Sequence, residues 1–426
     1  MIKKTSLIIL IICVYFIVRT YGIAEIIPGF WVIPLLIISI YSFYSLKKQN
    51  RNVVFFLVKE SRWILLSLVI LLIYIGFDYG NFKLITTFSY LLVSLPFYIL
   101  GFLNGVKSNE SFIRKISIFY FMFLCIYLLP KTFLVLSLGN FNPELFTSLF
   151  IEGGVETSFI FFLPFTGFVS IFGYALMSES KSVIIRLIAL MILIVNIIAL
   201  LIACKAGPVA MLIFTFIIYY YYKNGKKTKL SKFFTLIIVS LFAFIFVFSL
   251  AKGWFGNLGS LQGKSSALIY VIDSGILIND AVLDGISSNR WSANIYSFRQ
   301  FLAKPLFGHG AYLEEVEGML GNVDLYTTAA GGHSFFFDTI AYYGIFGFSI
   351  ILILFKFCKD GFKYYKIIPK DTLESKKALL YSSLISSVFI INILNTGFLF
   401  SSFDNYLFLI SGFYLGKTYS KKNKLI

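Results

Sequence analysis

The chain of 426 residues has two histidines, His309 and His333, and both fall in one polar stretch between long apolar runs. His333 stands in GlyGlyHisSerPhePhePheAsp, at the entry to an apolar run. A free imidazole titrates near pH 6.5, so a neutral one can take the proton of an attacking hydroxyl. Nearby cations would hold it neutral, as a base requires. The same position also suits a histidine that merely lies at a membrane interface. His309, between the glycines of ProLeuPheGlyHisGly (305–310), is first of all a turn residue and only second a chemical one.

Several cations accompany them. Arg290 opens an expected helix that starts near Ser287–Arg290, where a positive charge opposes the helix dipole. That siting favours a ligand role over a solvated face, and the planar guanidinium suits phosphate oxygens. Arg299 is nine residues further on, about half a turn out of phase on a regular helix, so the two do not clamp one phosphate. Lys205, between two apolar runs, either snorkels from a helix end or meets an anion, because an unpaired lysine at bilayer depth costs on the order of 3 kcal/mol. Lys131, beside Pro130, is equally explained by packing of a kinked helix. Glu314, Glu315, Glu317 and Asp324 form a solvated surface or hydrogen-bond sugar hydroxyls. Asp338 is five residues past His333, roughly 140° away on a helix, so no His–Asp relay is expected. A base plus cations suits a transfer in which a hydroxyl attacks and an anion departs.

These residues need elements to position them, and the composition says which. Hydrophobic residues make up 58% of the chain and charged ones 13%, against about 25% charged in soluble proteins. Apolar runs of about 20 residues are long enough to cross a bilayer, and within lipid only a helix satisfies their backbone. Such runs are expected at 6–23, 27–46, 63–79, 84–104, 116–138, 158–178, 183–204, 207–222, 233–251, 335–355, 378–398 and 403–416. The expected fold class is an all-α integral membrane protein of about twelve transmembrane helices. Its parts are an N-terminal bundle (1–252, about nine spans), a large outer loop (253–333) with short helices, and a C-terminal bundle (334–426, about three spans). The basic, apolar opening MetIleLysLysThrSer reads as the start of the first span rather than a removed signal peptide. Within the loop, Trp291, Ile295, Phe298 and Leu302 recur at helical spacing and would lay an apolar face on the membrane or on neighbouring spans.

The net charge of +17 reflects topology rather than a nucleic-acid partner. With both termini cytoplasmic, the inner segments hold 28 of the 37 lysines and arginines, as the positive-inside rule requires. Anionic lipids of the inner leaflet then face the basic side. The four cysteines lie far apart in or beside apolar runs, without zinc-ligand or disulfide spacing. The outer segments contain neither a P-loop nor an Asp-x-Asp pair, so no metal site and no cofactor are expected. Outside the membrane there is no nucleotide supply, and a transfer there needs an activated donor such as a lipid diphosphate.

The motifs run in a fixed order: Lys205-Ala-Gly after a mid-chain span, a long outer loop with Arg290-Trp291, ProLeuPheGlyHisGly, and His333 leading into PhePhePheAspThrIleAlaTyrTyrGlyIlePheGly. That order resembles the O-antigen polymerase/ligase superfamily of Wzy-type polysaccharide polymerases and lipopolysaccharide O-antigen ligases. The likeness covers roughly 200–350 by motif and the rest by topology. It implies a GT-C-like fold in a bacterial cytoplasmic membrane and metal-independent glycosyl transfer from an undecaprenyl diphosphate-linked glycan. It also implies that Arg290 holds the diphosphate and that His333 activates the acceptor hydroxyl. Lys205 stands where the family commonly has arginine, keeping the charge but not the fork; Ser334 replaces a frequent asparagine. Arg299, His309, Glu314 and Glu315 are secondary candidates. Implied partners are lipid-linked donor and acceptor glycans, membrane lipid, a chain-length regulator and a flippase. The sequence leaves a ligase of the same family, or a lipid-linked oligosaccharide carrier, as alternatives. A reporter fused after residue 280 is expected to read as extracytoplasmic, and a cytoplasmic signal there overturns the topology.

Overall fold

The computed structural model describes residues 2–20, 31–77, 82–137, 156–202, 206–224, 290–309, 335–370, 372–394 and 404–424. Among them the regular elements are all helical. They are α1 (Ile2–Thr20), α2 (Val32–Lys47), α3 (Arg51–Glu60), α4 (Arg62–Phe77), α5 (Phe82–Val106), α6 (Glu110–Ser137) and α7 (Glu156–Met177). Then come α8 (Val183–Ile202), α9 (Ala206–Asn224), α10 (Arg290–Ala303), α11 (Phe335–Tyr343), a 3₁₀ turn (Gly344–Phe346), α12 (Gly347–Ile367), α13 (Leu373–Leu394) and α14 (Asp404–Lys424). Each expected apolar segment overlaps a helix except 233–251, which lies outside the described residues. By length and composition, three stretches can cross a membrane: Thr87–Val106, Glu110–Leu134 and Phe336–Ile367. Shorter apolar helices accompany them, among them Val32–Lys47, Arg62–Phe77 and Val183–Ala199. Large apolar side chains such as Leu36, Leu72, Ile126 and Met191 are exposed on their outer faces. A contiguous apolar exterior of this kind marks a protein embedded in a bilayer.

The bundle is organised around the pairing of α5 with α14. Four glycines make it. A Cβ added at Gly101 or Gly105 would lie 1.9 or 2.1 Å from the carbonyl oxygens of Leu409 and Phe413 on α14. One added at Gly412 or Gly416 would lie 2.1 Å from those of Tyr98 and Phe102 on α5. Two Gly-xxx-Gly stripes therefore face each other with backbone against backbone. Small residues at this spacing permit such approach inside a membrane, where lipid supplies no hydrophobic drive between helices and packing must. The contacts advance together along both chains, so α5 and α14 run parallel. Ser94 Oγ donates to Asn405 Oδ1 at 2.7 Å, and Asn405 Nδ2 donates to the Tyr15 hydroxyl at 2.7 Å, which ties α1 to the same pair. Rings of Phe16, Tyr120 and Tyr406 close around it, with centroids 4.9 and 5.5 Å apart.

Other contacts follow the same logic of buried polar glue. Ser67 on α4 donates to Ser349 on α12 at 3.0 Å, and Thr215 on α9 donates to Ser387 on α13 at 2.9 Å. The sequence between the expected runs 335–355 and 378–398 begins as helix. Helix α12 continues to Ile367, and Lys356 and Asp360 are buried in the bundle. They sit one turn apart and pair with each other. Lys356 Nζ also donates to the Tyr98 hydroxyl at 2.6 Å, and Ser411 Oγ to Asp360 at 3.3 Å. Mutual neutralisation with added hydrogen bonds lets two charges enter an apolar helix.

The basic segments gather at one end. Lys363 pairs with Glu60 at 2.9 Å, Lys377 with Glu179 at 3.2 Å and Lys417 with Glu110 at 2.8 Å, and Lys417 also pairs with Glu374. Burial works against the Glu60 charge, but Lys363 holds its carboxyl below the usual carboxylate range. Burial likewise opposes the Lys417 charge, and Glu110 and Glu374 hold its ammonium above its ordinary value. Segments 47–62, 107–115, 356–377 and 417–424 thus share one cation-rich end. Gly105→Ala and Gly412→Ala are each expected to lower stability by about 1–3 kcal/mol or more, because the backbones must part. Gly76→Ala, at a site with nothing within 4 Å, is expected to be neutral in the same thermal unfolding assay in detergent.

Candidate functional site

Helix α10 starts at Arg290, as its sequence pattern leads one to expect. Ser297 is fully buried and Phe301 packs on the core, whereas Phe298 and Leu302 are exposed at the protein surface. The buried side also carries a polar contact, Ser297 Oγ donating to Asp338 Oδ1 of α11 at 2.8 Å. Phe298 still reaches α11 at its edge, 6.2 Å from the Phe337 ring. Asp338 is therefore a docking residue between α10 and α11.

The turn after α10 is held from three sides. His309 uses its backbone N–H to donate to Ala341 O at 3.0 Å, and its Nε2 lies 3.0 Å from Gln300 O. With the proton on Nε2, the imidazole donates to a carbonyl in the last turn of α10 that also accepts from Lys304 N–H at 3.2 Å. Ile345 N–H donates to Pro305 O at 2.8 Å. From α4, the Tyr74 hydroxyl lies 2.6 Å from Phe307 O and 3.1 Å from Tyr343 O, bridging the turn and the end of α11.

Two glycines make this closeness possible. Gly308 has φ +67° and Gly344 has φ +59°. A Cβ on Gly308 would lie 2.3 Å from Tyr342 O, and one on Gly344 would lie 2.5 Å from Leu306 O. Both positions need the left-handed backbone that glycine adopts without penalty. ProLeuPheGlyHis and AlaTyrTyrGlyIlePheGly, more than thirty residues apart in the chain, are thereby one physical unit.

The frame fixes how α10 and α11 relate. Ser297 meets Asp338, and Gln300 meets Ala341 through His309. Both contacts advance in the same sense, so the first residues of the two helices, Arg290 and Phe335, lie toward the same end of the pair. Arg290 precedes the Ser297 contact by about 10 Å of helix. Arg299 is exposed on α10, and its half-turn offset from Arg290 stands. Among the candidates, Lys205, Glu314, Glu315, Glu317, Asp324 and His333 lie outside the described residues. Lys131 lies on α6. Among the described residues no group of three or more His, Cys, Asp or Glu is placed to hold a metal.

Sequence reasoning singled out His309 but not the carbonyls it binds, and it assigned no role to Tyr74, Gly308 or Gly344. The glycines were legible: each sits in a motif already quoted, at a turn or a helix break. Tyr74 carried no signal, being one of 27 tyrosines.

An apolar helical bundle with a charged end and a loop helix docked beside a broken span defines an integral membrane protein. Residues 190–352 match the family model described as O-antigen ligase, within the superfamily that the motifs resemble. No curated protein matches the chain. The matched segment contains α10, the His309 turn and α11, so the frame is a feature of the matched domain. Gly344→Ala is expected to undock the turn, because left-handed strain of about 1–2 kcal/mol adds to the collision with Leu306. Tyr74→Phe is expected to cost about 0.5–1.5 kcal/mol by removing the hydroxyl that bridges the two carbonyls. Thermal unfolding of each purified variant, with membrane insertion checked, measures both.

Proposed function

We propose that the protein polymerises lipid-linked oligosaccharide repeat units into a surface polysaccharide such as O-antigen, capsule or exopolysaccharide. The observation that carries this reading is the family match over 190–352, a segment that contains Lys205, Arg290 and His333 together. The α10–α11 frame supports it. Arg290 opens α10, and His333 is two residues ahead of α11, whose start lies toward the same end as that of α10.

In this reading a GT-C-like bundle admits two undecaprenyl diphosphate-linked glycans to a cavity under the outer loop. His333 accepts the proton of the incoming unit's hydroxyl. The hydroxyl oxygen attacks the anomeric carbon of the growing chain. The bond from that carbon to the diphosphate oxygen breaks, and its electron pair leaves with the lipid diphosphate. Arg290 and Lys205 balance the charge developing there, which is the main source of rate in transfers of this type. A single displacement inverts the anomeric centre. No metal or cofactor enters the step. Arg299, Glu314 and Glu315 are proposed contacts to the glycans, and a chain-length regulator and a flippase are proposed partners. The site faces outward from the cytoplasmic membrane, with both chain termini inside.

The description of the matched family favours a second reading, ligation of the finished glycan to a different acceptor. The donor side is the same and the acceptor differs. His333→Ala is expected to abolish long surface polymer while the protein inserts normally, and retained long polymer removes the base from the account. Arg290→Lys is expected to lower output at least tenfold, since a point charge replaces a bidentate fork. If the His333→Ala strain instead accumulates long polymer on its carrier lipid, the ligase reading replaces the polymerase.

A further inference from the structure

A separate groove lies at the cation-rich end, at the opposite end of α4 from Tyr74. The end of α3, the start of α4 and one face of α12 enclose a groove of about 260 Å³. On α12, Leu352, Phe355, Lys356, Lys359 and Lys363 recur every three or four residues and so share one face. That face is apolar toward the span and cationic toward the helix end. Lys59, Glu60, Arg62 and Trp63 line the opposite wall.

The charges in this groove do not balance. Lys356 is paired with Asp360 and Lys363 with Glu60. Lys59, Arg62 and Lys359 form no ion pair among the described residues, and all three are exposed. Arg62 is held over the Trp63 ring, 5.2 Å from its centroid. Phe355 is 53% exposed beside them. Three unpaired cations around a groove whose floor is a buried lysine call for an anion. The adjoining wall of Leu352, Phe355 and Trp63 calls for an apolar chain attached to that anion.

We propose that this groove binds the phosphodiester headgroup of an anionic membrane lipid, with Lys59, Arg62 and Lys359 around the phosphate and an acyl chain along Phe355. A basic pocket between membrane helices is suited to lipid headgroups. A free phosphate would satisfy the cations but leave the apolar wall unused. The site shares no residue with the proposed transfer chemistry and stands whether or not that reading holds.

The test uses the full-length protein purified into nanodiscs of phosphatidylglycerol and phosphatidylcholine, with bound lipid counted by native mass spectrometry. Phosphatidylglycerol is expected to be retained over phosphatidylcholine. Lys59→Gln, Arg62→Gln and Lys359→Gln together are expected to cut that retention at least tenfold, and Lys421→Gln with Lys422→Gln to leave it unchanged. Lys359→Gln alone, with its thermal unfolding checked, gives the same direction if the triple variant does not accumulate. Phe355→Ala is expected to reduce retention severalfold, while excess inorganic phosphate fails to displace the lipid. Equal retention of both lipids, or unchanged retention in the triple variant, overturns the site. Displacement by inorganic phosphate together with indifference to Phe355→Ala reassigns it to a soluble anion and overturns the lipid.

Discussion

The backbone contact between α5 and α14 is the constraint on which the rest of the bundle depends. Inside a membrane, helices are not driven together by exclusion from water, so an interface must be won by fit and by hydrogen bonds. Gly101, Gly105, Gly412 and Gly416 bring two parallel helices to a separation that any side chain would prevent. Everything nearby is scaled to that separation. Tyr98, whose carbonyl lies under Gly412, turns its hydroxyl to Lys356. Ser411, next to Gly412, reaches Asp360. A shift of α14 by the width of a methyl group would therefore disturb the Ser411 and Tyr98 hydrogen bonds to the Lys356–Asp360 pair.

A comparable device operates at the opposite end on a smaller scale. Gly308 and Gly344 let two turns exchange backbone hydrogen bonds, and Tyr74 stitches the pair to α4. The loop helix is thus fastened to a spanning helix. Chemistry at a membrane surface needs a cation and a base held at fixed separation. Helix α10 is held to α11 through Ser297 and Gln300, which fixes the direction in which its first residue lies; under the proposed function that residue, Arg290, is the cation.

Much of this was legible in the sequence, and the limits have physical causes. Apolar runs located the helices because only a helix satisfies a backbone in lipid, and α10 was legible from its periodicity. The distribution of lysine and arginine agrees with segments that the ion pairs of Glu60, Glu110, Glu179 and Glu374 join at one end. The rotation of α10 was not legible. Phe298 and Leu302 mark an apolar face, but the buried Ser297–Asp338 bond joins residues 41 apart and leaves no local pattern. The glycine stripes of α5 and α14 were visible as spacings, yet nothing in either stripe names its partner. The continuation of α12 past the apolar run was not legible because Lys356 and Asp360 end that run in the sequence, and only their mutual pairing shows them buried.

The α5–α14 seam also has a history. Its two halves are far apart in the chain, as the 311-residue separation of Ser94 and Asn405 shows. During synthesis α5 enters the bilayer long before α14 exists. Its glycine groove must meanwhile face lipid, a neighbouring helix or the insertion machinery. Closure of the seam is then a late event, in which α14 displaces whatever occupies the groove. A chain interrupted before α14 would lack the partner that fills this groove.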